Sequence, residues 1–264
     1  KYNMPAKTLT ILYIFIIVTI SSRADIPWIN DAENIGTGGN HILYEMDKRS
    51  SITAGYVCPY QLKELSVRKL ELLIPVYGTD ISGLLEQSGD EIFNETMAFA
   101  GAGKHLSEKI YLSVQCGIYS VKSVVNEGGA TVLANLQMLY KPAGNLIIGT
   151  YIFNPVGLEI KTQTIPFKTG QSFHTGFRYD PVENFSVILE YSRFIGKYSK
   201  ISLGADYAIL KTFHIRGGFS VNPAIPSFGF GWSSNRLALS FAINRHPVLG
   251  NTPAISINYN LKSK

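Results

Sequence analysis

Four charged residues fall on the same side of four successive strand-like stretches in the second half of the chain. They are Arg178, Glu190, Asp206 and Arg216. Side chains alternate between the two faces of a β-strand, and the neighbours of each charge that would share the opposite face are mostly apolar. Two acids therefore lie between two bases on adjacent strands. The pattern predicts an ion-pair network that stiffens a shared interior or, alternatively, a polar path for transport.

Other residue types that could do chemistry do not form a recognisable site. The histidines show no i,i+4 spacing, and a zinc site needs three or four converging ligands. No nucleophile motif is present. The stretch 34–39 is rich in glycine but lacks the lysine of a phosphate-binding loop, so it predicts a flexible chain entry. We expect no enzyme, no metal site and no cofactor. The histidines are His41, His105, His174, His214 and His246.

The elements that must position these residues are strands, and the end of the chain shows the pattern most clearly. Ile255, Ile257 and Tyr259 alternate there with Ser256 and Asn258. Apolar residues toward lipid and small polar residues toward a lumen are typical of membrane β-barrels. About fourteen such stretches follow residue 50, with twelve as the alternative. The sequence predicts an all-β, antiparallel, up-and-down transmembrane barrel. A charge that faces lipid costs about 2–4 kcal/mol, so the four charges should face the lumen.

The connections between these stretches alternate in length. Every second connection is short, and the others are mostly longer, as in barrels with tight periplasmic turns and long external loops. The longest is 154–170, and long external loops often carry recognition. The candidate external contacts are Lys161, Phe167 and Lys168 in that loop, with His246 and Pro247 in a later hairpin.

The N-terminal region has the features of an export signal. Lys7 precedes an apolar run over 8–20, and 22–24 offer a small-x-small cleavage site. We therefore predict a signal peptide over 1–24, with a single membrane anchor on a periplasmic domain as the alternative. A periplasmic or lumen segment would cover 25–49 and the barrel 50–264. This organisation predicts the bacterial outer membrane, with its lipid as the surrounding partner.

Charge and cysteine content fit that compartment. The net charge of +5 is spread along the chain, and charged residues make up only 16% of it, so we expect no nucleic-acid partner. Export would permit a disulfide. Alternation, however, places Cys116 on the lipid face and Cys58 in a loop, which predicts two unpaired thiols.

Several segments, in order over most of the mature chain, carry a family likeness. Through them the chain resembles the PorV/PorQ-like outer-membrane proteins of Bacteroidetes-type bacteria, a branch of the FadL-like fourteen-stranded barrels. One departure is the absence of an Asn-Pro-Ala-Gly-like segment near the N-terminus, which predicts a reduced N-terminal plug. The matching segments are 60–65, 93–96, 138–142, 146–149, 153–155, 214–218, 226–231 and 246–250.

The resemblance implies two possible functions. Relatives in type IX secretion hold secreted proteins or partner the translocon, which predicts a non-enzymatic secretion accessory. More distant relatives move hydrophobic molecules, so the alternative is a FadL-like passive transporter with a hydrophobic ligand. A lumen rich in Ser, Asn, Gly and paired charges argues against transport. An apolar interior around Tyr119, Tyr151, Phe153 and Ile188, all inward by alternation, would favour it.

Overall fold

Fourteen antiparallel strands close into one barrel in up-and-down order. The computed structural model describes residues 31–40, 50–124, 128–160 and 167–261. Two further short strands form a hairpin within one connection. The strands are β1 (Ser51–Val57), β2 (Val67–Val76), β3 (Thr79–Gly89), β4 (Phe93–Ser107), β5 (Ile110–Ser123), β6 (Gly129–Ala143), β7 (Leu146–Phe153), β8 (Glu159–Ile160), β9 (Phe167–Lys168), β10 (Ser172–Val182), β11 (Phe185–Phe194), β12 (Ser199–Leu210), β13 (Phe213–Val221), β14 (Ile225–Ser233), β15 (Leu237–His246) and β16 (Gly250–Asn260).

Closure of the barrel depends on the pairing of β1 with β16, in which Ser51 lies opposite Asn260 and Val57 opposite Ala254. The strand number confirms the prediction of fourteen, and the alternative of twelve is wrong. A closed barrel leaves no strand edge with unpaired backbone groups, which is the condition for crossing lipid with strands. Among the described residues, no helix is long and apolar enough to cross a membrane.

Burial follows the two-residue period of the strands. In β16, Ile257 and Tyr259 are each 42% exposed, whereas Ser256 between neighbouring outward positions is buried. The same outward apolar exposure occurs in β13 at Ile215 and Phe219. In these strands the outer wall therefore presents apolar side chains, and the inner wall of β16 presents small and polar ones.

Position along a lipid-facing strand should decide the effect of a new charge. Leu203, near the middle of β12, and Ile209, near its end, are both 51% exposed on the outer wall. Arginine costs about 2–4 kcal/mol at the bilayer midplane and about 0–1 kcal/mol near the interface. We expect Leu203→Arg to lower the free energy of unfolding, measured by urea titration in lipid vesicles, by that larger amount. Equal losses for Leu203→Arg and Ile209→Arg would contradict this placement.

The two ends of the barrel differ, as the connection lengths predict. At one end, here called the turn end, five connections have two residues and the sixth, 234–236, has three. The opposite end, here called the loop end, has the connection 154–171, which includes β8 and β9. It also has the connection 58–66, with 3-10 turns at Pro59–Gln61 and Lys63–Leu65. Three other loop-end connections have only three residues, so the asymmetry lies mainly in these two.

Residues 31–40 form a compact element inside the barrel. Helix α1 (Ala32–Gly36) packs against the inner faces of β13–β16 and β1. The Asp31 side chain accepts a hydrogen bond from the Asn34 backbone N–H at 2.9 Å, which caps the first turn. Gly38 and Gly39 then adopt positive φ angles and turn the chain. The predicted flexible entry over 34–39 is thus wrong, because capping and wall contacts order it.

Both cysteines are free, as predicted. Cys116 is exposed on the outer wall of β5, and Cys58 is partly buried directly after β1.

Candidate functional site

The inner wall has a polar half, formed by β10–β16 and α1. Its central contact joins Arg216 and Asp206, with the guanidinium Nε donating to Asp206 Oδ2 at 2.8 Å. His214 Nδ1 lies 2.9 Å from the other oxygen of Asp206. The Arg216 guanidinium also donates to Ser240 Oγ at 3.0 Å and contacts Glu33 Oε1 of α1 at 3.2 Å. Arg216 therefore links three strands of the wall to the N-terminal segment.

The backbone of the N-terminal segment lies close to the barrel wall at glycine positions. Gly36 of α1 lies against Gly229 of β14, where a Cβ atom added to Gly229 would be 3.1 Å from the Gly36 Cα. A Cβ atom added to Gly218 of β13 would be 2.7 Å from the Gly38 Cα. A larger residue at Gly218 would collide with that backbone, and one at Gly229 would require its neighbours to shift by a few tenths of an ångström.

A second polar group surrounds Glu190, which is fully buried in β11. Its carboxylate accepts a hydrogen bond from Ser192 Oγ at 2.9 Å and lies 3.3 Å from His174 Nδ1. The other ring nitrogen, His174 Nε2, lies 2.8 Å from Ser172 Oγ. A serine–histidine–carboxylate order is found in hydrolases. Here Ser172 is only 3% exposed and Ser192 also contacts His174 Nδ1, so the arrangement serves as a packed network.

Arg178 and its hydrogen-bond partners lie nearer the turn end. Its guanidinium donates to Asp180 Oδ1 at 2.8 Å and to Ser186 Oγ at 3.0 Å. Of the four predicted charges, the structure brings Asp206 and Arg216 into direct contact, and it gives Arg178 and Glu190 partners of their own. The alternation pattern predicts a turn that begins at Asp180, whereas β10 continues to Val182. The two-residue step from Arg178 to Asp180 was the signal that could have found this partner.

The other half of the interior, over β3–β7, holds a large apolar cluster beside hydrogen-bonded polar side chains such as Gln115 and Ser82. Tyr119 of β5 and Ile188 of β11 pack against a cluster of nine buried side chains, here called the apolar column. All four residues whose inward position would favour transport thus lie in or against it. The apolar column consists of Leu84, Met97, Phe99, Tyr111, Leu133, Leu139, Ile147, Tyr151 and Phe153.

The apolar column extends along the whole length of β7. Ile147 is the second residue of β7, next to the turn end, and Phe153 is its last, at the loop end. Alternation explains why the column forms, because inward positions on these strands repeatedly hold large apolar residues. The inward positions of Tyr151 and Phe153 agree with the prediction from alternation, whereas the joining of nine such side chains into one cluster was not predicted.

The predicted loop contacts are only partly within the described residues. Lys161 lies outside them. Phe167 and Lys168 form β9, in which Phe167 pairs with Ile160 and Lys168 with Glu159. His246 Nδ1 accepts hydrogen bonds from the backbone N–H groups of Val248 and Leu249, at 3.2 and 3.1 Å. The His246 ring therefore closes its own hairpin, and Pro247 is exposed at the tip.

His246 also contacts a second loop. Its ring packs edge-on against Tyr60, with centroids 5.9 Å apart, and the Tyr60 backbone N–H donates to Thr252 Oγ1 at 3.1 Å.

Within the described residues, no group of three or more His, Cys, Asp or Glu side chains could hold a metal ion.

Comparison with solved structures identifies the architecture. A deltaS2 mutant of the TodX monoaromatic hydrocarbon channel superimposes with a TM-score of 0.69, covering 90% of this chain and 100% of that one at 10% identity. The toluene transporter TodX of Pseudomonas putida gives 0.63, with 87% and 96% covered at 12% identity. The fold is that of the FadL-like barrels. A FadL homologue of Pseudomonas aeruginosa gives 0.62, with 88% and 98% covered at 9% identity.

At these identities the likeness to FadL-like barrels shows the fold alone. The sequence matches no protein-family model and none of the curated proteins. The FadL-like part of the predicted resemblance is therefore confirmed at the level of fold, and membership of the PorV/PorQ branch stays a prediction. The two TodX structures are named as those of a monoaromatic hydrocarbon channel and a toluene transporter.

Proposed function

We propose that this barrel is a passive transporter of hydrophobic small molecules across the bacterial outer membrane. The observation that carries the proposal is the apolar column, which lines the interior along the whole length of β7. Transfer of a hydrocarbon from water to such an interior is favourable by about 25 cal/mol for each Å² of apolar surface that it buries. Water molecules have no comparable driving force to enter it. The apolar outer wall supports the membrane location.

The FadL-like fold adds support, because structures that share it include channels for toluene and other monoaromatic hydrocarbons. The column side chains pack against one another in this structure, so passage requires them to move apart. Met97 and the long aromatic side chains can change rotamer without breaking a backbone ladder. The polar half and α1 then act as the fixed wall along which the apolar column opens.

An uptake assay in intact cells tests this proposal, since the lipopolysaccharide layer must remain as the barrier. The chain would be expressed in a Gram-negative host lacking its own hydrocarbon channel, and uptake of radiolabelled toluene measured. We expect uptake well above that of cells with an empty vector. Equal uptake, with folded protein present in the outer membrane, would contradict transport.

A matched pair of variants tests the route. Ile188 packs against the apolar column, and its neighbour Leu189 faces the outer wall. Desolvation of an amide costs about 1–3 kcal/mol in proteins, so Ile188→Gln should lower toluene uptake by about tenfold. Leu189→Gln should leave uptake within about twofold at equal levels of folded protein. Similar uptake by both variants would place the route elsewhere.

We also propose, as the second candidate, a secretion accessory that contacts partner proteins at the loop end. Two of the segments that carry the PorV/PorQ resemblance meet there through Tyr60 and His246. Mild-detergent extraction of the tagged protein from its native membrane, followed by mass spectrometry, tests this proposal. Co-purification of a translocon that Tyr60→Ala abolishes would favour it, and isolation of a lone barrel would contradict it.

A further inference from the structure

Among the described residues beside the apolar column, one carboxyl and one amide side chain have no hydrogen-bond partner. Glu86 of β3 is 2% exposed and Asn135 of β6 is 1% exposed. No described residue forms a hydrogen bond with either carboxylate oxygen of Glu86, or with the amide oxygen or nitrogen of Asn135. The large majority of buried side-chain polar atoms are paired, and leaving one unpaired is destabilising. These two exceptions therefore call for a functional explanation.

Both side chains border the apolar column, and Lys69 of β2 also lies directly opposite Glu86. Glu86 follows Leu84 on the inner face of β3 and lies opposite Met97 of β4. Asn135 follows Leu133 on β6 and lies opposite Phe153 of β7. Both side chains thus interrupt the surface along which the proposed function places a hydrophobic molecule.

Within the described residues, Glu86 has a nearby positive charge but no hydrogen-bond partner. Lys69 of β2 lies within electrostatic range of Glu86, and its Nζ is 3.0 Å from Glu71 Oε2. A carboxylate accepts hydrogen bonds, and a carboxamide both donates and accepts them. A hydroxyl group can donate to the first and exchange either kind of bond with the second. A pure hydrocarbon can satisfy neither.

We infer that the molecules carried by this barrel are apolar compounds with a hydroxyl group, such as alcohols and phenols, which binds at Glu86 and at Asn135 along the apolar column. The inference rests on the proposed transport function and narrows its substrate class. The two residues are specificity-determining contacts, because a site with unpaired polar groups discriminates strongly against ligands that cannot pair with them.

Binding to the purified full chain in lipid nanodiscs tests this inference. Benzyl alcohol and toluene form a matched ligand pair, and equilibrium dialysis against empty nanodiscs removes lipid partitioning. We expect Glu86→Leu and Asn135→Leu each to weaken benzyl alcohol binding by about tenfold, the scale of a lost hydrogen bond to a buried polar group. Toluene binding should not weaken in either leucine variant, and Glu86→Gln should retain most of the alcohol binding.

The matched control is Asn258→Leu. Asn258 lies on the inner face of β16 and donates to Thr53 Oγ1 at 2.7 Å, outside the apolar column. Its replacement should leave both ligands unaffected, and heat-modifiability on gels verifies that every variant is folded.

Other binding results distinguish failure of the hydroxyl site from failure of the transport proposal. Equal losses of toluene and benzyl alcohol in Glu86→Leu would overturn the hydroxyl site. So would stronger binding of benzylamine than of benzyl alcohol that Glu86→Gln abolishes, because the site would then recognise a cation. Toluene binding without any alcohol-specific loss would overturn this inference and leave transport standing. Failure of both ligands to bind the wild-type protein would overturn both.

Discussion

Alanine in place of Gly218 should detach the N-terminal segment from the barrel wall. The added Cβ atom would fall on the backbone of Thr37 and Gly38, with the Gly38 Cα only 2.7 Å away. Neither backbone can yield as a flexible side chain would, so the segment must move. Overpacking of this kind costs about 1–3 kcal/mol, which corresponds to about a five- to 150-fold rise in the detached population.

Thiol labelling measures that release directly. Ile35 of α1 is 2% exposed, so a cysteine at that position should be protected while the segment is docked. In a background that lacks Cys58 and Cys116, Gly218→Ala should accelerate labelling of Ile35→Cys by about five- to 150-fold. Gly217→Ala is the control, because a Cβ atom there meets nothing within 4 Å. Equal labelling in the two variants would show that the segment does not depend on this close contact.

Methionine in place of Arg216 should cause the largest loss of stability among the lumen charges. Arg216 is 5% exposed, and its removal would leave Asp206 with His214 as its remaining described polar contact. Breaking a buried ion pair by removing one partner costs about 3–5 kcal/mol. Urea unfolding in lipid vesicles should register that loss, and Asp206→Asn combined with Arg216→Met should recover much of it.

The ion pair of Arg178 is more exposed to water than that of Arg216. The pair of Arg178 with Asp180 has side chains that are 29% and 31% exposed, and ion pairs with that access to water contribute about 0–1 kcal/mol. Arg178→Met should therefore change the unfolding free energy far less than Arg216→Met. A loss as large as that for Arg216 would contradict the distinction drawn from burial.

The strands were predictable because their two-residue period is local. The contact between Asp206 and Arg216 was predictable too, since the two residues lie directly opposite each other on β12 and β13. Alternation also assigned Tyr151 and Phe153 to the inside. It could not show that they join seven other side chains in one column, because that depends on how the closed wall curves.

Other parts of the site were not predictable from local pattern. Helix α1 has five residues, too few to show a helical period, and its order depends on Asp31 and on glycines nearly two hundred residues away. Glu33 was missed as a partner of Arg216 for the same reason. The unpaired state of Glu86 and Asn135 was equally invisible, because a sequence specifies which polar groups exist and not what surrounds them.

The docking site of α1 sets the order in which the molecule can assemble. The helix precedes β1 in the chain, yet much of its contact surface belongs to β13, β14 and β15, and it also touches β1 and β16 on both sides of the closing pair. Contacts between residues so distant in sequence form slowly, because a long loop must close first. In a chain synthesised from its N-terminus, α1 emerges early and has to wait for its binding surface until the last strands are in place.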